Sequence, residues 1–109
     1  MPTPHLHDDG RSLTFDLHGA RVEEALALSH AAVVEAARYG RATVRLVHGL
    51  STTERGARRT IKTVLHDAYD DGEFDRHVTT AVRMEGVMIL SIAPAPSPRS
   101  GRIRLTDLQ

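Results

Sequence analysis

The sequence predicts an α/β domain: a two-layer sandwich in the order β-α-β-α-β-β, with a mixed four-stranded sheet and two helices on one face. Three observations predict it. Leu13, Phe15 and Leu17 alternate with Ser12, Thr14 and Asp16, the period of a half-buried strand. Apolar residues between Arg21 and Tyr39 instead fall at helical spacing. The change from period two to a helical period then repeats once, and a strand–helix–strand unit implies a parallel pair with a right-handed crossover.

The elements follow in order. Residues 1–11 carry Pro, His, Asp and Gly with little that is apolar, and read as a flexible leader. The domain proper spans 12–93. Its first strand ends at His18-Gly19. Val22, Leu26, Ser29, Val33 and Ala36 form the stripe of the first helix, and Ala fills the gaps. Glu23 and Glu24 in its first turn and Arg38 in its last suit the helix dipole, and Gly40 is the stop. Thr43 to Val47 is the second strand, ending at His48-Gly49 as the first ended at His18-Gly19. Ser51 and Glu54 make a capping box. The second helix is expected from about Thr53 to Tyr69, with Ala57, Ile61, Val64, Leu65 and Ala68 inward and Asp70-Asp71-Gly72 as its end. Val78 to Met84 and Val87 to Ala93 read as two strands joined by a tight turn at Glu85-Gly86. Residues 94–109 form a Pro-rich tail, in which Arg102 to Leu105 alternates as an edge strand or a frayed end.

Composition narrows the function. A chain of 109 residues holds one modest core, and with aromatics at 4% and no Trp that core is aliphatic. Lys+Arg and Asp+Glu are both 14, which excludes nucleic-acid coating by bulk charge but not a local basic face. Without cysteine there is no disulfide framework and no thiolate zinc site. No apolar run reaches membrane-spanning length, and MPTPHLHDDG is too polar for a signal peptide. The expectation is a cytoplasmic domain.

Two positions stand out. Asp16-Leu17-His18-Gly19 and His48-Gly49 each lie where a strand gives way to a helix. In open α/β sheets ligands bind beyond the carboxyl ends of the strands, where helix N-termini favour phosphate. Asp16, His18 and His48 are thereby expected to meet at one anionic ligand. One group would take a proton from a nucleophilic oxygen and another would protonate the leaving oxygen, as phosphodiester cleavage requires. For RNA the nucleophile can be the substrate's own 2′-OH. The bland alternative is that Asp16 and His18 cap the first helix while His48 packs under a loop. On the second helix, Arg55, Arg58, Arg59, Lys62 and His66 share one side, at ~100° per residue, and form a basic strip beginning next to His48. A solvated helix face is the competing account. An acidic run, Asp67, Asp70, Asp71, Glu73 and Asp75, follows it. His5 and His7 make an H-x-H pair too sparse for a firm metal site, and His30 and His77 carry no assigned role. No Gly-rich phosphate loop occurs.

These paired motifs resemble the Smr (small MutS-related) domain family. Phe15-Asp16-Leu17-His18-Gly19 is similar to the family's hydrophobic-Asp-Leu-His-Gly signature, followed by Arg21-Val22-Glu23-Glu24-Ala25 at the start of its first helix. Val44-Arg45-Leu46-Val47-His48-Gly49 resembles the second signature, and Gly56-Ala57-Arg58 resembles the opening of the second helix. The resemblance runs from about Leu13 to Ala93. It implies a two-layer sandwich with a mixed four-stranded sheet and nucleic-acid binding, often with endonuclease activity on DNA or RNA, including messenger RNA on ribosomes. It carries cleavage onto Asp16 and His18, and the second motif onto His48 and Gly49. Gly19, Gly49, Ser51, Arg55, Arg58, Arg59 and Lys62 are the expected nucleic-acid contacts. No cofactor is expected, and divalent-metal dependence stays open. The second signature usually reads His-Gly-x-Gly. Here Leu50-Ser51 follows His48-Gly49, which removes a glycine where the backbone approaches phosphate. That departure favours the alternative, a non-catalytic module for nucleic acid or the ribosome. A protein-interaction domain docking through the Pro-rich tail is the third reading.

Overall fold

The computed structural model describes residues 5–17, 20–49 and 60–108. In chain order the elements are β1 (His5–Asp8), β2 (Ser12–Asp16), α1 (Val22–Arg38), β3 (Thr43–Val47), α2 (Ile61–Asp70), β4 (Val78–Met84) and β5 (Val87–Ile92), closed by a 3-10 turn at Leu105–Leu108. The sheet order is β1-β2-β3-β5-β4. β2 and β3 are parallel, as expected for strands joined by a helix, and the other neighbours are antiparallel.

Alternation builds the core. Leu13, Phe15 and Leu17 of the β2 segment, Val44 and Leu46 of β3, and Met88 and Leu90 of β5 are all fully buried. The register joins them into two rows, Leu13–Val44–Leu90 and Phe15–Leu46–Met88. α1 lies over these rows through Ala25, Ala32 and Ala36, each fully buried, and small side chains let the helix approach the sheet closely. α2 packs beside α1 and contributes Val64, Leu65 and Ala68. At the end of α1, Gly40 takes φ +71°, and a Cβ there would meet Pro98 at 2.7 Å.

Three expectations need correction. The leader is not loose over its described part. His5–Asp8 pairs antiparallel with β2, from His5↔Asp16 to Asp8↔Leu13, and gives the sheet a fifth strand. The cause is a clasp no local pattern announces. Asp8 takes Arg41 in two hydrogen bonds, Nε at 2.6 Å and Nη2 at 2.7 Å, with both side chains buried. Asp8 also accepts from the backbone N–H groups of Gly10 and Ile103, and Arg41 donates to the carbonyls of Tyr39 and Gly101. Burial alone would raise the Asp8 carboxyl, but Arg41 and the two N–H donors hold it at about 2. The tail, secondly, is neither an edge strand nor frayed: Ile103 and Leu108 are buried, and the 3-10 turn rests on α1. Thirdly, α2 does not run unbroken from residue 53. Thr60 is extended (φ −111°, ψ 167°), and its Oγ1 accepts from the Thr63 N–H as the N-cap. The Ser51–Glu54 box and Ala57 lie outside the described residues.

Candidate functional site

β2 and β3 end at one edge of the sheet, level with each other: Asp16 pairs with Val47, and the Leu17 N–H donates to the Val47 carbonyl at 2.8 Å. The chain beyond β3 is then fixed from the other side. The N–H groups of His48 and Gly49 both donate to the Gly86 carbonyl in the β4–β5 turn, at 3.0 and 3.1 Å. Gly49 has φ +82°, a conformation that side-chain-bearing residues rarely adopt. This turns its carbonyl back to accept from His48 Nδ1 at 2.8 Å.

That contact determines the chemistry of the imidazole. A carbonyl only accepts, so Nδ1 carries the proton and, in the neutral ring, Nε2 holds the lone pair. His48 is only 6% exposed, and its Nε2 is shielded from solvent without a hydrogen-bonding partner among the described residues. Burial lowers its pKa from the ordinary imidazole value. The Gly49 hydrogen bond opposes this, and the Lys62 charge adds to the lowering.

Facing it stands His66 of α2. The two rings are 5.8 Å apart, centroid to centroid, edge to face at 79°. His66 Nε2 is likewise shielded, with no hydrogen-bonding partner among the described residues. Its pKa is lowered, first by burial and then by Arg83, His48 and Lys62, with Asp70 acting the other way. Arg83 of β4 pairs with Asp70 and lies over the Tyr69 ring at 5.2 Å.

The structure therefore rearranges the expected site. Asp16 and His48 reach the same edge but opposite faces. Leu13, Phe15 and Leu17 point to the helices, so Asp16 points to the open face. Val44 and Leu46 point to the helices, and His48 continues that series. Gly49 and Lys62 lie at the His48 edge. His18, Gly19, Ser51, Arg55, Arg58 and Arg59 lie outside the described residues. The angular argument aligning the three arginines with Lys62 stops at Thr60, because Thr60 is not helical. His66, which the helical spacing places only in the basic strip, stands at the site itself. Its signal was its place on α2, directly after the inward Leu65 and one turn from Lys62.

The other histidines lie elsewhere. His30 pairs with Glu73 at 2.9 Å and stacks on Phe74, joining α1 to the loop after α2. His5 and His7 are exposed on β1. Among the described residues no group of three His, Cys, Asp or Glu could hold a metal ion, and no helix is long and apolar enough to cross a membrane. A cleft of about 480 Å³, lined by Arg38, Arg76, His77 and Arg99, lies at the opposite end of the sheet and touches neither His48 nor His66.

Comparison with known proteins places this geometry in context. The sequence profile of the Smr domain matches residues 15–71. The fold is similar to the crystal structure of the Smr domain of Thermus thermophilus MutS2, with a TM-score of 0.60 and 28% sequence identity, covering 74% of this chain and 98% of that one. No curated protein sequence matches the chain.

Proposed function

Since this chain belongs to the Smr domain family, we propose that it binds nucleic acid at the edge where β2 and β3 end and cleaves it as an endonuclease. The family is known for nucleic-acid binding, and some of its members nick. The observation that carries the reading is the state of His48. Its Nδ1 proton is committed to Gly49, and its Nε2 lone pair has no partner among the described residues. Such a nitrogen takes a proton from a nucleophilic hydroxyl, whether water or an RNA 2′-OH, and burial keeps it unprotonated near neutral pH. His18 of the first motif is the group assigned to the leaving oxygen. Asp16 belongs with His18 in that motif rather than in a relay with His48, because the sheet lies between Asp16 and His48. Lys62, with Arg55, Arg58 and Arg59, supplies the charge that holds the backbone, while Gly19 and Gly49 permit its approach and Ser51 offers it a hydroxyl.

A second reading, binding without cleavage, is favoured by Ser51 in place of the signature's second glycine and by Asp16 and His48 facing opposite sides. The same edge then holds a phosphate backbone or a ribosomal surface. End-labelled single-stranded RNA and supercoiled DNA, incubated with wild type, His48→Ala and His18→Ala, with and without EDTA, separate the two. Cleavage by wild type alone is the expected result, and it identifies the substrate and any metal requirement. Retarded but intact nucleic acid with every protein would leave the binding module. Full cleavage by His48→Ala would overturn the role given to His48.

A further inference from the structure

We propose that the cleft at the far end of the sheet from His48 binds a nucleoside monophosphate, its phosphate on Arg38, Arg76 and Arg99 and its base against Pro94 and Pro96. This second site stands apart from the edge where β2 and β3 end and does not depend on the reading given to that edge.

The walls of the cleft are held in place. Its volume of about 480 Å³ is in the range of small-ligand sites, roughly 300–1,000 Å³. Three arginines reach it from three parts of the chain: Arg38 from the last turn of α1, Arg76 from the loop before β4, and Arg99 from the tail. The tail segment that forms one wall is pinned at both ends. The Ala93 N–H donates to the His77 carbonyl at 2.8 Å, and the Arg99 N–H donates to the Arg38 carbonyl at 2.9 Å. Between these two bonds, Pro94, Pro96 and Pro98 restrict the backbone. The wall is therefore formed before any ligand arrives.

Charge and surface select the ligand. No carboxylate lines the cleft. Glu35 answers Arg38 at 3.2 Å, whereas Arg76 and Arg99 make no ion pair among the described residues. Two positive charges are left over, and a phosphate monoester carries about −2 at neutral pH. Guanidinium forks also match the geometry of phosphate oxygens. The C-terminal end of α1 would ordinarily repel an anion. Here the carbonyls of Ala36, Ala37 and Arg38 already accept from the N–H groups of Arg41, Gly40 and Arg99. Beside the charges, Pro94 and Pro96 give an apolar surface with no N–H to satisfy. Inorganic phosphate would leave that surface wet, and a flat base covers it. His77 adds ring nitrogens for hydrogen bonds to ribose or base.

Adenosine 5′-monophosphate is the probe, followed through backbone amide resonances in wild type and in the double variant Arg76→Gln, Arg99→Gln. Both side chains are exposed, and the variant keeps the Arg99 N–H that pins the tail. The nucleotide should shift the amides of His77, Ala93, Ser97 and Arg99, and its affinity should fall about tenfold or more in the double variant. Arg76→Lys, which keeps the charge and loses the fork, should weaken binding less. Adenosine and inorganic phosphate each lack half of the ligand and should bind at least about tenfold more weakly than the nucleotide. Wild-type nucleotide affinity in the double variant would overturn the site. So would equal affinity for adenosine or for inorganic phosphate. Shifts confined to Gly49 and His66 would overturn it too, while leaving the β2–β3 edge as a binding surface. A 5′-phosphorylated oligonucleotide, set against its 5′-hydroxyl counterpart, distinguishes the two sources of the group. Cleft shifts from the phosphorylated strand alone support the site with a strand end as its ligand. Cleft shifts from the mononucleotide and from neither strand support it with the free nucleotide.

Discussion

At His48 one backbone carbonyl decides which nitrogen is available, and burial decides its charge. The same burial links the site to stability. His48 and His66 both titrate below the ordinary value of 6.5 in the folded chain, so just under that value the unfolded chain binds more protons. The stability they contribute is complete above about pH 6.5 and is lost as pH falls from there toward their folded values. Melting temperature should therefore decline between pH 7 and pH 5, and His66→Asn should flatten the decline. A profile with no slope in that window would contradict the burial of both rings. The faces of Asp16 and His48 were legible in the sequence, since Leu13, Phe15 and Leu17 set the parity of one strand and Val44 and Leu46 that of the other. Parity had to be counted along each strand, whereas the matching His-Gly endings drew attention to the edge alone.

Elements follow their local chemistry where that chemistry is self-sufficient. The bounds Val78–Met84 are those the apolar pattern predicts, and β5 ends one residue short, at Ile92. α1 ends at Arg38, ahead of Gly40, as its stop signal indicates. The start of α2 was less legible because the Ser51–Glu54 spacing reads as a capping box, whereas Thr60 is the residue that caps the packed helix. Thr60 fills the role for the helix that packs, and its hydroxyl reaches the Thr63 N–H at 3.2 Å. Thr60→Ala should cost about 1 kcal/mol in denaturant unfolding. Thr60→Ser should cost much less, because the hydroxyl oxygen is retained. Since α2 carries His66 and Lys62, the alanine variant should also disorder the His66 ring signal.

For the molecule as a whole, the flanks form part of the domain. β1 holds only one apolar residue, Leu6, and no periodicity could announce it. Its place depends on Asp8 meeting Arg41, 33 residues away, and the Ile103 N–H, 95 residues away. Asp8→Asn leaves Arg41 buried without its counter-charge and should cost roughly 3–5 kcal/mol, read from equilibrium unfolding. The clasp also bears on the order of events in folding. Closing so long a loop is entropically expensive, so the contact should form after the parallel β2–β3 pair and the β4–β5 hairpin have collapsed. Asp8→Asn should then accelerate unfolding and barely slow refolding, giving a φ-value near zero in stopped-flow experiments. The clasp of Asp8 on Arg41 and on the Ile103 N–H would thus govern how long the folded molecule lasts, and have little influence on how quickly it is made.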